Sequence, residues 1–487
     1  MNTLAITQRD GSPGTLAASD IDEFAKRLRG RLVRRGDADY AGVRAIWNGM
    51  IEKQPALIAR VQGVADVIEA IRFARQHDLL ISVRGGGHNV AGTALCDGGL
   101  TIDLSSMKGV LVDANAREAV VQAGATWGDV DRETQLYGLA VPSGIISNTG
   151  VPGLTLGGGF GWLSRKHGYT CDNLLEAEVV TADGRVVRAS AKENADLFWG
   201  LRGGGGNFGV VTAFKFRLQP VGPQVMAGMI LYPLDKAAEV LEFFRKFTTT
   251  SPEELGALLV LRPAPPAPFL AKELHGKPVV AIVVCYAGDP EEGARVLKPL
   301  KEFGKPLADV IAPKPFTALQ AMLDGGQLAG RQYYWKSEYL HEIREDAIDT
   351  LITQARLLSS PHSAILVFQL GGAISRVGAT ETAASGRDAR YIVNIAGAWE
   401  NKSDTEREVK WVRDTWAALR PFGTGAVYVN FMADDERPER LHAAYGAEIY
   451  QRLASLKDRY DPENFFRTNQ NIHPAKVRRP AEAEAVR

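Results

Sequence analysis

The sequence predicts an α+β protein built from two different parts, because its strand and helix pattern changes at Pro220. Before Pro220, short β-rich runs alternate with helical stretches, and glycine occurs at almost every junction. After Pro220 the strand patterns are longer and alternate with helical patterns, which is typical of an antiparallel sheet covered by helices. We therefore expect domains over 41–220 and 221–432, with additional segments at 1–40 and 433–487.

The residues before 41 are charged and helical in pattern. Ile21, Phe24, Leu28 and Leu32 are spaced like one buried stripe, which predicts an N-terminal helical arm. Strand patterns in the first domain cover 57–61, 80–84, 100–103, 110–112, 119–122, 178–181 and 210–218. Helical patterns there cover 64–77 and 127–136.

The second domain has the longer patterns. Its predicted strands are 225–231, 279–286, 332–339, 364–369 and 391–398, and its predicted helices are 237–247, 291–300, 344–357 and 405–418. The proline-rich run 262–268 is interpreted as a loop within this domain, because the strand and helix pattern resumes around it.

Composition excludes several classes of protein. The 487 residues carry 57 Lys+Arg against 57 Asp+Glu, so nothing favours a nucleic-acid partner. Three widely spaced cysteines predict neither a disulfide framework nor a CxxC metal site, and no metal is expected. Without a signal peptide or an apolar run of about 18 residues, we expect a cytoplasmic protein with no membrane partner. A monomer or small homo-oligomer is expected.

The most informative segment runs from a hydrophobic strand into Gly85, Gly86 and Gly87, followed by His88 and Asn89. Consecutive glycines let backbone N–H groups turn toward an anion such as a phosphate. A plain glycine turn would have the same composition, but a histidine directly after the turn is held against whatever the loop binds. The segment indicates a ligand-binding loop.

Two further glycine-rich segments follow. Seven glycines between 144 and 161 favour a loop that wraps a ligand, with a glycine-rich surface loop as the alternative. Residues 204–209 match G-x-G-x-x-G, yet a strand pattern follows where the dinucleotide fingerprint requires a helix. Walker, H-E-x-x-H and G-x-S-x-G motifs do not occur in the sequence, so nucleotide hydrolases, zinc proteases and serine hydrolases have no residues in their favour.

These segments, together with Asp172, Asn173 and the late motif 460–467, resemble the flavin-dependent berberine bridge enzyme-like oxidoreductases of the vanillyl-alcohol oxidase superfamily. The order and spacing of the motifs agree from Asp39 to Pro474. The resemblance implies a PCMH-type FAD-binding domain made of the N-terminal half and the last few dozen residues. It also implies an antiparallel-sheet domain that covers the flavin ring and binds the substrate.

The resemblance also assigns a flavin site. The loop expected to hold the FAD pyrophosphate consists of Arg84, Gly85, Gly86, Gly87, His88 and Asn89. His88 would be bonded through a ring nitrogen to the flavin 8α-methyl carbon. The other expected cofactor contacts are Gly150, Gly153, Gly157, Gly158, Cys171, Asn173, Val179, Tyr428, Asn430 and Asn464.

The chain departs from the family pattern at one attachment position. Members with two covalent bonds carry a cysteine in a Gly-x-Cys-Pro pattern, and this chain has Ile146 there. A single linkage through His88 is therefore expected. Cys171 lies over twenty residues later, in the segment near the adenosine side, and is expected to be a buried structural thiol.

The catalytic positions are also altered. Phe160 and Phe431 stand where relatives often have tyrosine, while Tyr428 and Asn430 remain. Tyr428 is then the expected base, and it needs help from a cation such as Lys336, because an unperturbed tyrosine has a pKa near ~10. The alternative is a structural role, in which Tyr428 only packs on the flavin and a sheet residue such as Glu338 activates the substrate.

The implied activity is that of an FAD-dependent oxidase acting on a small alcohol, sugar or amine, with molecular oxygen reduced to hydrogen peroxide. Thr149, at the position where relatives are thought to gate oxygen, is close to the permissive valine in shape. A dehydrogenase with another acceptor and a flavin-binding protein without turnover are the alternatives. Candidate substrate contacts, half of which strand alternation must turn away from the flavin, are Tyr333, Tyr334, Trp335, Lys336, Glu338, Gln369 and Trp399.

Overall fold

The structure is a computed structural model that describes residues 3–436 and 438–475. Residues 476–487, which belong to the predicted C-terminal segment, lie outside the described residues. The predicted α+β fold class is confirmed. Within the described residues, no helix is both long and apolar enough to cross a membrane.

The first region combines a mixed sheet with an antiparallel one. Its strands are β1 (Thr3–Thr7), β2 (Pro13–Ala17), β3 (Arg31–Arg34), β4 (Leu57–Arg60), β5 (Ile81–Arg84), β6 (Leu100–Asp103), β7 (Val110–Asp113), β8 (Glu118–Gln122), β9 (Leu139–Ala140), β10 (Leu174–Val180), β11 (Val186–Ser190), β12 (Val210–Arg217) and β13 (Gln219–Pro220). Its helices are α1 (Ala18–Arg27), α2 (Tyr40–Arg44), α3 (Val64–Gln76), α4 (Trp127–Thr134), α5 (Val151–Leu156), α6 (Ser164–His167) and α7 (Ala195–Leu201). One sheet has the order β3-β4-β6-β5, with β4 and β5 parallel to β6. The other has the order β11-β10-β12-β8-β7 and is antiparallel.

The N-terminal segment is not the helical arm that the spacing predicts. Helix α1 ends at Arg27, Leu28 is its extended C-cap, and Leu32 lies in β3, which pairs with β4. The four predicted stripe residues are nonetheless buried in one hydrophobic core. Their common burial comes from a helix followed by a strand, because the chain turns between them.

The second region is an antiparallel sheet with helices on one face. Its strands are β14 (Gln224–Pro233), β15 (Leu255–Pro263), β16 (Pro278–Tyr286), β17 (Ala308–Asp309), β18 (Ala312–Pro315), β19 (Gln332–Leu340), β20 (Ala364–Gln369) and β21 (Tyr391–Trp399). Its helices are α8 (Ala237–Thr250), α9 (Pro290–Lys301), α10 (Phe316–Gln320), α11 (Glu345–Arg356), α12 (Ala373–Arg376) and α13 (Thr405–Leu419). The strand order is β17-β14-β16-β15-β20-β21-β19, with β18 paired to β14.

Strand alternation gives the two faces of this sheet different neighbours. On β16, Val280 and Ile282 pack in the core under α8, α9 and α11, whereas Ala281 and Val283 point to the other face. That second face is turned toward the first region and packs against Phe160 and its neighbours. A ligand held between the two regions therefore meets an apolar sheet surface.

The C-terminal residues pack on the first region. Helices α14 (Pro438–Tyr445) and α15 (Ala447–Tyr460) follow the second sheet. Leu453, Phe465, Phe466 and Ile472 are buried in the same core as α7 and β12. The late motif therefore completes the first region.

A buried carboxyl group joins the two regions. Asp131 on α4 is 2% exposed, and its Oδ2 accepts a hydrogen bond of 3.1 Å from Gln320 Nε2 on α10. The same amide group donates to Ser143 Oγ at 2.8 Å. Asp131 Oδ1 has no hydrogen-bond partner among the described residues, and burial raises the pKa of Asp131 to about 7.

Replacing this carboxyl with an amide is expected to stabilise the protein above neutral pH. The folded protein holds the Asp131 proton to a higher pH than the unfolded chain, whose aspartate pKa is about 3.9. The free energy of unfolding therefore falls as pH rises from about 4 to about 7 and stays lowered above it. Asp131→Asn should raise the free energy of unfolding by about 1–3 kcal/mol at pH 8 and change it little at pH 4.5. Exposed Asp235→Asn is the control in denaturant unfolding, and an Asp131→Asn effect of equal size at both pH values would contradict the prediction.

Candidate active site

A cavity of about 880 Å³ lies between the glycine-rich loops of the first region and the open face of the second sheet. Its size is in the range of cavities that hold large cofactors or drug-sized ligands, about 300–1,000 Å³. The first region contributes the loop after β5, the 144–156 segment and Gly205, Gly206 and Gly209. The C-terminal segment contributes Phe466, Thr468, Asn469 and Gln470.

Two of the glycine loops touch each other beneath this cavity. A Cβ atom on Gly86 would lie 2.5 Å from Gly150 Cα, and one on Gly85 would lie 2.3 Å from Pro152 Cγ. Gly87 has a φ of 65°, which side chains rarely adopt. Glycine is therefore required for the loops to approach, and this contact fixes the position of His88, the next residue.

His88 lies in the cavity wall and stacks on Trp47, with ring centroids 4.1 Å apart. Trp47 in turn stacks on Tyr333 of β19 at 3.7 Å, and its indole N–H donates to the carbonyl of Gln327 at 2.9 Å. Burial lowers the pKa of His88 to about 4, and its Nε2 has no hydrogen-bond partner among the described residues. The imidazole is therefore neutral at pH 7, rigidly held, and offers a buried nitrogen without a protein partner.

The opposite wall is the apolar face of the second sheet. Val260, Ala281, Val283, Leu366 and Phe368 contribute to it. Trp335 of β19 and Asn394 of β21 also line the cavity. The buried Oδ1 of Asn394 has no hydrogen-bond partner among the described residues, so it is an acceptor available to a ligand.

Tyr428 lies between the glycine loop and this sheet. Its hydroxyl oxygen accepts hydrogen bonds from Gly159 N–H at 3.0 Å and from Asn430 Nδ2 at 2.9 Å. Phe160 and Phe431 surround the phenol ring, each with its centroid 5.0 Å away. Burial raises the pKa of Tyr428, while the two donors act in the opposite direction. The phenol is therefore protonated at neutral pH.

Comparisons with known proteins agree with this architecture. Residues 55–190 match the FAD binding domain family, and residues 427–473 match the berberine and berberine-like family. An FAD-linked oxidoreductase of Dictyostelium discoideum is 32% identical over 463 residues, 94% of this chain and 98% of the relative. The chain belongs to the berberine bridge enzyme-like FAD-linked oxidoreductases.

One further relative and one solved structure carry a more specific name. The (R)-6-hydroxynicotine oxidase of Paenarthrobacter nicotinovorans is 30% identical, with 92% of this chain and 97% of that protein covered. The crystal structure of 6-hydroxy-D-nicotine oxidase from Arthrobacter nicotinovorans superposes with a TM-score of 0.81 at 28% identity, and covers 92% of this chain and 98% of its own. The chain is thus an FAD-dependent oxidoreductase, as the sequence motifs predicted.

The residues that line the cavity are compatible with bound FAD. The cavity brings together a neutral histidine with an unpartnered nitrogen and loops whose Gly153 and Gly206 have nothing within 4 Å of a Cβ position. Bare backbone of this kind lets a dinucleotide approach closely. Gly85, Gly86, Gly87, His88, Asn89, Thr149, Gly150, Gly153, Tyr428 and Asn430 all line the cavity.

Several predicted cofactor residues lie outside the cavity wall. The Arg84 side chain is turned to the carbonyl of Val43 and to Asp103, and therefore lies outside the cavity wall. Gly157 and Gly158 pack behind Asn430 and Tyr428. Cys171, Asn173, Val179 and Asn464 are buried in the surrounding structure, and burial raises the pKa of the Cys171 thiol. The C-terminal contact predicted at Asn464 comes instead from Phe466 to Gln470.

The predicted pairing of Tyr428 with Lys336 is wrong. Lys336 Nζ donates to Asp435 at 3.2 Å and to Glu436 at 2.8 Å, on the face of β19 that carries α13. Because Trp335 points into the cavity, strand alternation turns Lys336 to the opposite face.

The alternative base is on that face as well. Glu338 Oε1 accepts from Trp416 Nε1 at 2.8 Å and from Arg440 at 3.1 Å. Of the seven candidate substrate contacts, Trp335 lines the cavity, and Tyr334, Gln369 and Trp399 bond to groups outside it. Tyr333 supports Trp47.

Sequence reasoning missed several polar residues of the cavity, and four of them are Asn394, Arg262, Arg331 and His362. Arg262 stands at the end of β15, and its sequence signal is the apolar run at 255–261, which fits either a buried strand or a buried helix segment. The other three have no local motif, because strand pairing and loop folding bring them together.

Proposed function

We propose that this protein is an FAD-dependent oxidase that takes a hydride from a small organic substrate bound against the apolar sheet face and passes electrons to molecular oxygen. The cofactor would be held by a single bond between an imidazole nitrogen of His88 and the flavin 8α-methyl carbon. The observation that carries the proposal is the neutral His88, whose Nε2 has no hydrogen-bond partner among the described residues, at the wall of a cavity whose opposite side is apolar. The nicotine-oxidase name of that relative and of that solved structure also supports oxygen as acceptor.

In this proposal FAD supplies the two-electron acceptor, and the chain supplies orientation, proton transfer and exclusion of water. Trp335 and Phe431 meet edge to face at 5.5 Å and would hold the substrate body. Asn394 Oδ1 would accept a hydrogen bond from the O–H or N–H group that is oxidised. Tyr428, whose hydroxyl oxygen accepts hydrogen bonds from Gly159 and Asn430, would take up the substrate proton in its phenolate form.

Removing His88 tests the linkage. Wild-type protein should stay yellow after acid precipitation, and a digest should give a flavin peptide that contains His88 and no cysteine. His88→Ala should release its flavin into the supernatant, yet it should still bind FAD through backbone N–H groups. His341→Ala, an exposed histidine, is the control. Flavin recovered on Cys171, or flavin retained by His88→Ala after acid, would contradict the single His88 linkage.

Enlarging Thr149 tests the use of oxygen. Thr149 lines the cavity, and its carbonyl accepts from Trp127 N–H at 3.0 Å, which holds the loop in place. Thr149→Leu should slow reoxidation of reduced enzyme by air by about tenfold or more, about 1.4 kcal/mol of barrier, because it narrows the approach to the flavin. Thr149→Val keeps the shape and should reoxidise at the wild-type rate. Stopped-flow mixing with air-saturated buffer measures both.

Anaerobic reduction by substrate, followed by stopped-flow reoxidation, separates the oxidase from the two alternatives. Wild-type reoxidation no faster than that of free flavin, combined with fast reduction of a dye or quinone, would establish a dehydrogenase. A yellow protein that no alcohol, sugar, amine or acid bleaches anaerobically would be a flavin-binding protein without turnover. Rapid bleaching followed by hydrogen peroxide formation is the result expected of an oxidase.

A further inference from the structure

The guanidinium groups of Arg262 and Arg331 lie near each other at one end of the cavity. Both border Gly326: Arg331 Nη1 donates to its carbonyl at 3.5 Å, and Arg262 Nη1 would lie 3.6 Å from a Cβ atom on this glycine. Arg262 is further held by hydrogen bonds to the carbonyls of Pro263 at 3.1 Å and Pro361 at 3.2 Å. His362, which follows Pro361, lines the cavity beside them. Arg262 is thus fixed by backbone carbonyls that carry no charge to neutralise it, whereas Arg331 also donates to the Glu400 carboxylate.

Negative charge around this pair is scarce. Among the described residues that line the cavity there is no Asp, Glu or Lys, so Arg262 and Arg331 are its permanent charges. The neighbouring acid is Glu400, whose Oε1 lies 3.4 Å from Arg331 and 3.0 Å from His362 Nε2. Its side chain is 63% exposed and lies outside the cavity wall, which weakens its effect on the interior. Arg262 forms no ion pair with any described residue.

Such a pair is costly to keep partly buried and close together. Burial and the neighbouring Arg331 lower the pKa of Arg262, although a guanidinium stays charged at physiological pH. Its planar donor fork matches the oxygens of a carboxylate or phosphate, and charge-assisted hydrogen bonds of this type are stronger than neutral ones. An oxyanion placed between the two arginines would offset the repulsion.

We propose that the substrate is an organic anion, with an apolar body against the sheet and an oxyanion group held by Arg262 and Arg331. This rests on the proposed function, since it names the substrate class of the same cavity. The positively charged end of the cavity disfavours binding of cationic amines, because like charges repel strongly where water is displaced. It also indicates that the reacting group lies beyond the apolar body, toward Asn394 and Tyr428.

The FAD pyrophosphate is the other anion that this fold binds, and it is an unsuitable occupant for these arginines. They belong to the second region, at the end of β15 and just before β19. The loop expected to hold the pyrophosphate follows β5 in the first region and carries its own backbone donors. Variants at Arg262 and Arg331 are therefore expected to keep their flavin.

Three probes with one hydrocarbon body test the proposal: 4-phenylbutyrate, 4-phenylbutanol and 4-phenylbutylamine. Each is titrated into the purified holoenzyme, with the flavin difference spectrum and the thermal unfolding temperature as readouts. The carboxylate should bind at least about tenfold more tightly than the alcohol, and the amine should bind most weakly. The preference should shrink as ionic strength rises.

Arg262→Gln and Arg331→Gln should reduce the preference for carboxylate over alcohol to within about threefold, with full FAD content. Exposed Arg185→Gln should leave it unchanged. Equal binding of carboxylate and alcohol, tighter binding of the amine, retention of the preference in both variants, or loss of FAD from them would each overturn the proposal. The readout requires no turnover, so a protein that prefers the anion but fails to react with oxygen would refute the oxidase and leave this inference standing.

Discussion

Tyr428→Phe is expected to slow anaerobic reduction of the flavin by about 10²–10⁴-fold, the range for loss of a proton-transfer group. Within the described cavity wall there is no carboxylate or lysine to take over the proton. The remaining titratable groups are His275 and His362 beside the second-region loops, His88 at the proposed flavin link, and Tyr428 itself. Stopped-flow absorbance with a good substrate measures the rate.

The pH dependence gives this prediction a second readout. Burial raises the pKa of Tyr428 above its ordinary value near 10, so phenolate is a small fraction throughout the neutral range. If phenolate is the base, the reductive rate should rise about tenfold per pH unit from pH 6 to 9 without a plateau. Tyr428→Phe should remove this slope as well as lower the rate.

In Tyr428→Phe, a loss of stability has to be distinguished from a loss of proton transfer. Without the phenol oxygen, Gly159 N–H and Asn430 Nδ2 lose an acceptor, which costs about 1–3 kcal/mol of stability if they stay buried and unpaired. Tyr232→Phe is a matched control, since its hydroxyl donates to the carbonyl of Phe303 at 2.9 Å in the core under the helices. It should lose stability but keep the reductive rate. A Tyr428→Phe rate within a few-fold of wild type, with the pH slope retained, would remove Tyr428 from proton transfer.

The pairing partner of this tyrosine shows where sequence reasoning stops. Period-two alternation states that Trp335 and Lys336 point to opposite faces of β19, but it does not say which face the flavin occupies. The choice is made by Asp435 and Glu436, about a hundred residues later, which hold Lys336 on the helix-covered face. A local sequence pattern contains no information about contacts with residues so far away in the sequence.

Local motifs, by contrast, predicted what backbone geometry determines. The strand that ends at Arg84, the three glycines and His88 form one local unit, and the structure places His88 in the cavity wall next to them. The central strand β15 was missed although its residues from Leu255 to Leu261 are all buried. A strand covered on both faces gives a continuous apolar run instead of an alternating one, and such a run does not identify itself as a strand.

Lys457→Met is expected to destabilise the protein by about 3–5 kcal/mol, the usual effect of removing one partner of a buried ion pair. Lys457 and Asp461 have no exposed side-chain surface, and their charged atoms are 2.7 Å apart. Burial lowers the pKa of Lys457 to about 8, with Asp461 acting in the opposite direction. Removing the ammonium would leave the Asp461 carboxylate buried without its counter-charge.

The consequence should reach the flavin site, because this pair joins two cavity segments. Lys457 Nζ donates to the carbonyls of Asn207 at 2.7 Å and Phe466 at 2.8 Å. Asp461 accepts from the backbone N–H groups of Phe465 at 2.7 Å and Phe466 at 2.8 Å. The glycine loop ending at Gly209 and the wall from Phe466 to Gln470 are therefore held at a fixed separation by one buried ion pair.

The chain provides a matched control for this pair. Lys410 and Asp414 have the same spacing on α13, but their side chains are 72% and 58% exposed. Lys410→Met should change the free energy of unfolding by less than about 0.5 kcal/mol. Urea unfolding of freshly purified holoenzyme and the ratio of flavin to protein absorbance give both readouts. Because Lys457 bridges the two walls, its loss should lower flavin content as well as stability, whereas a purely local role in α15 would lower stability alone and contradict the bridging argument.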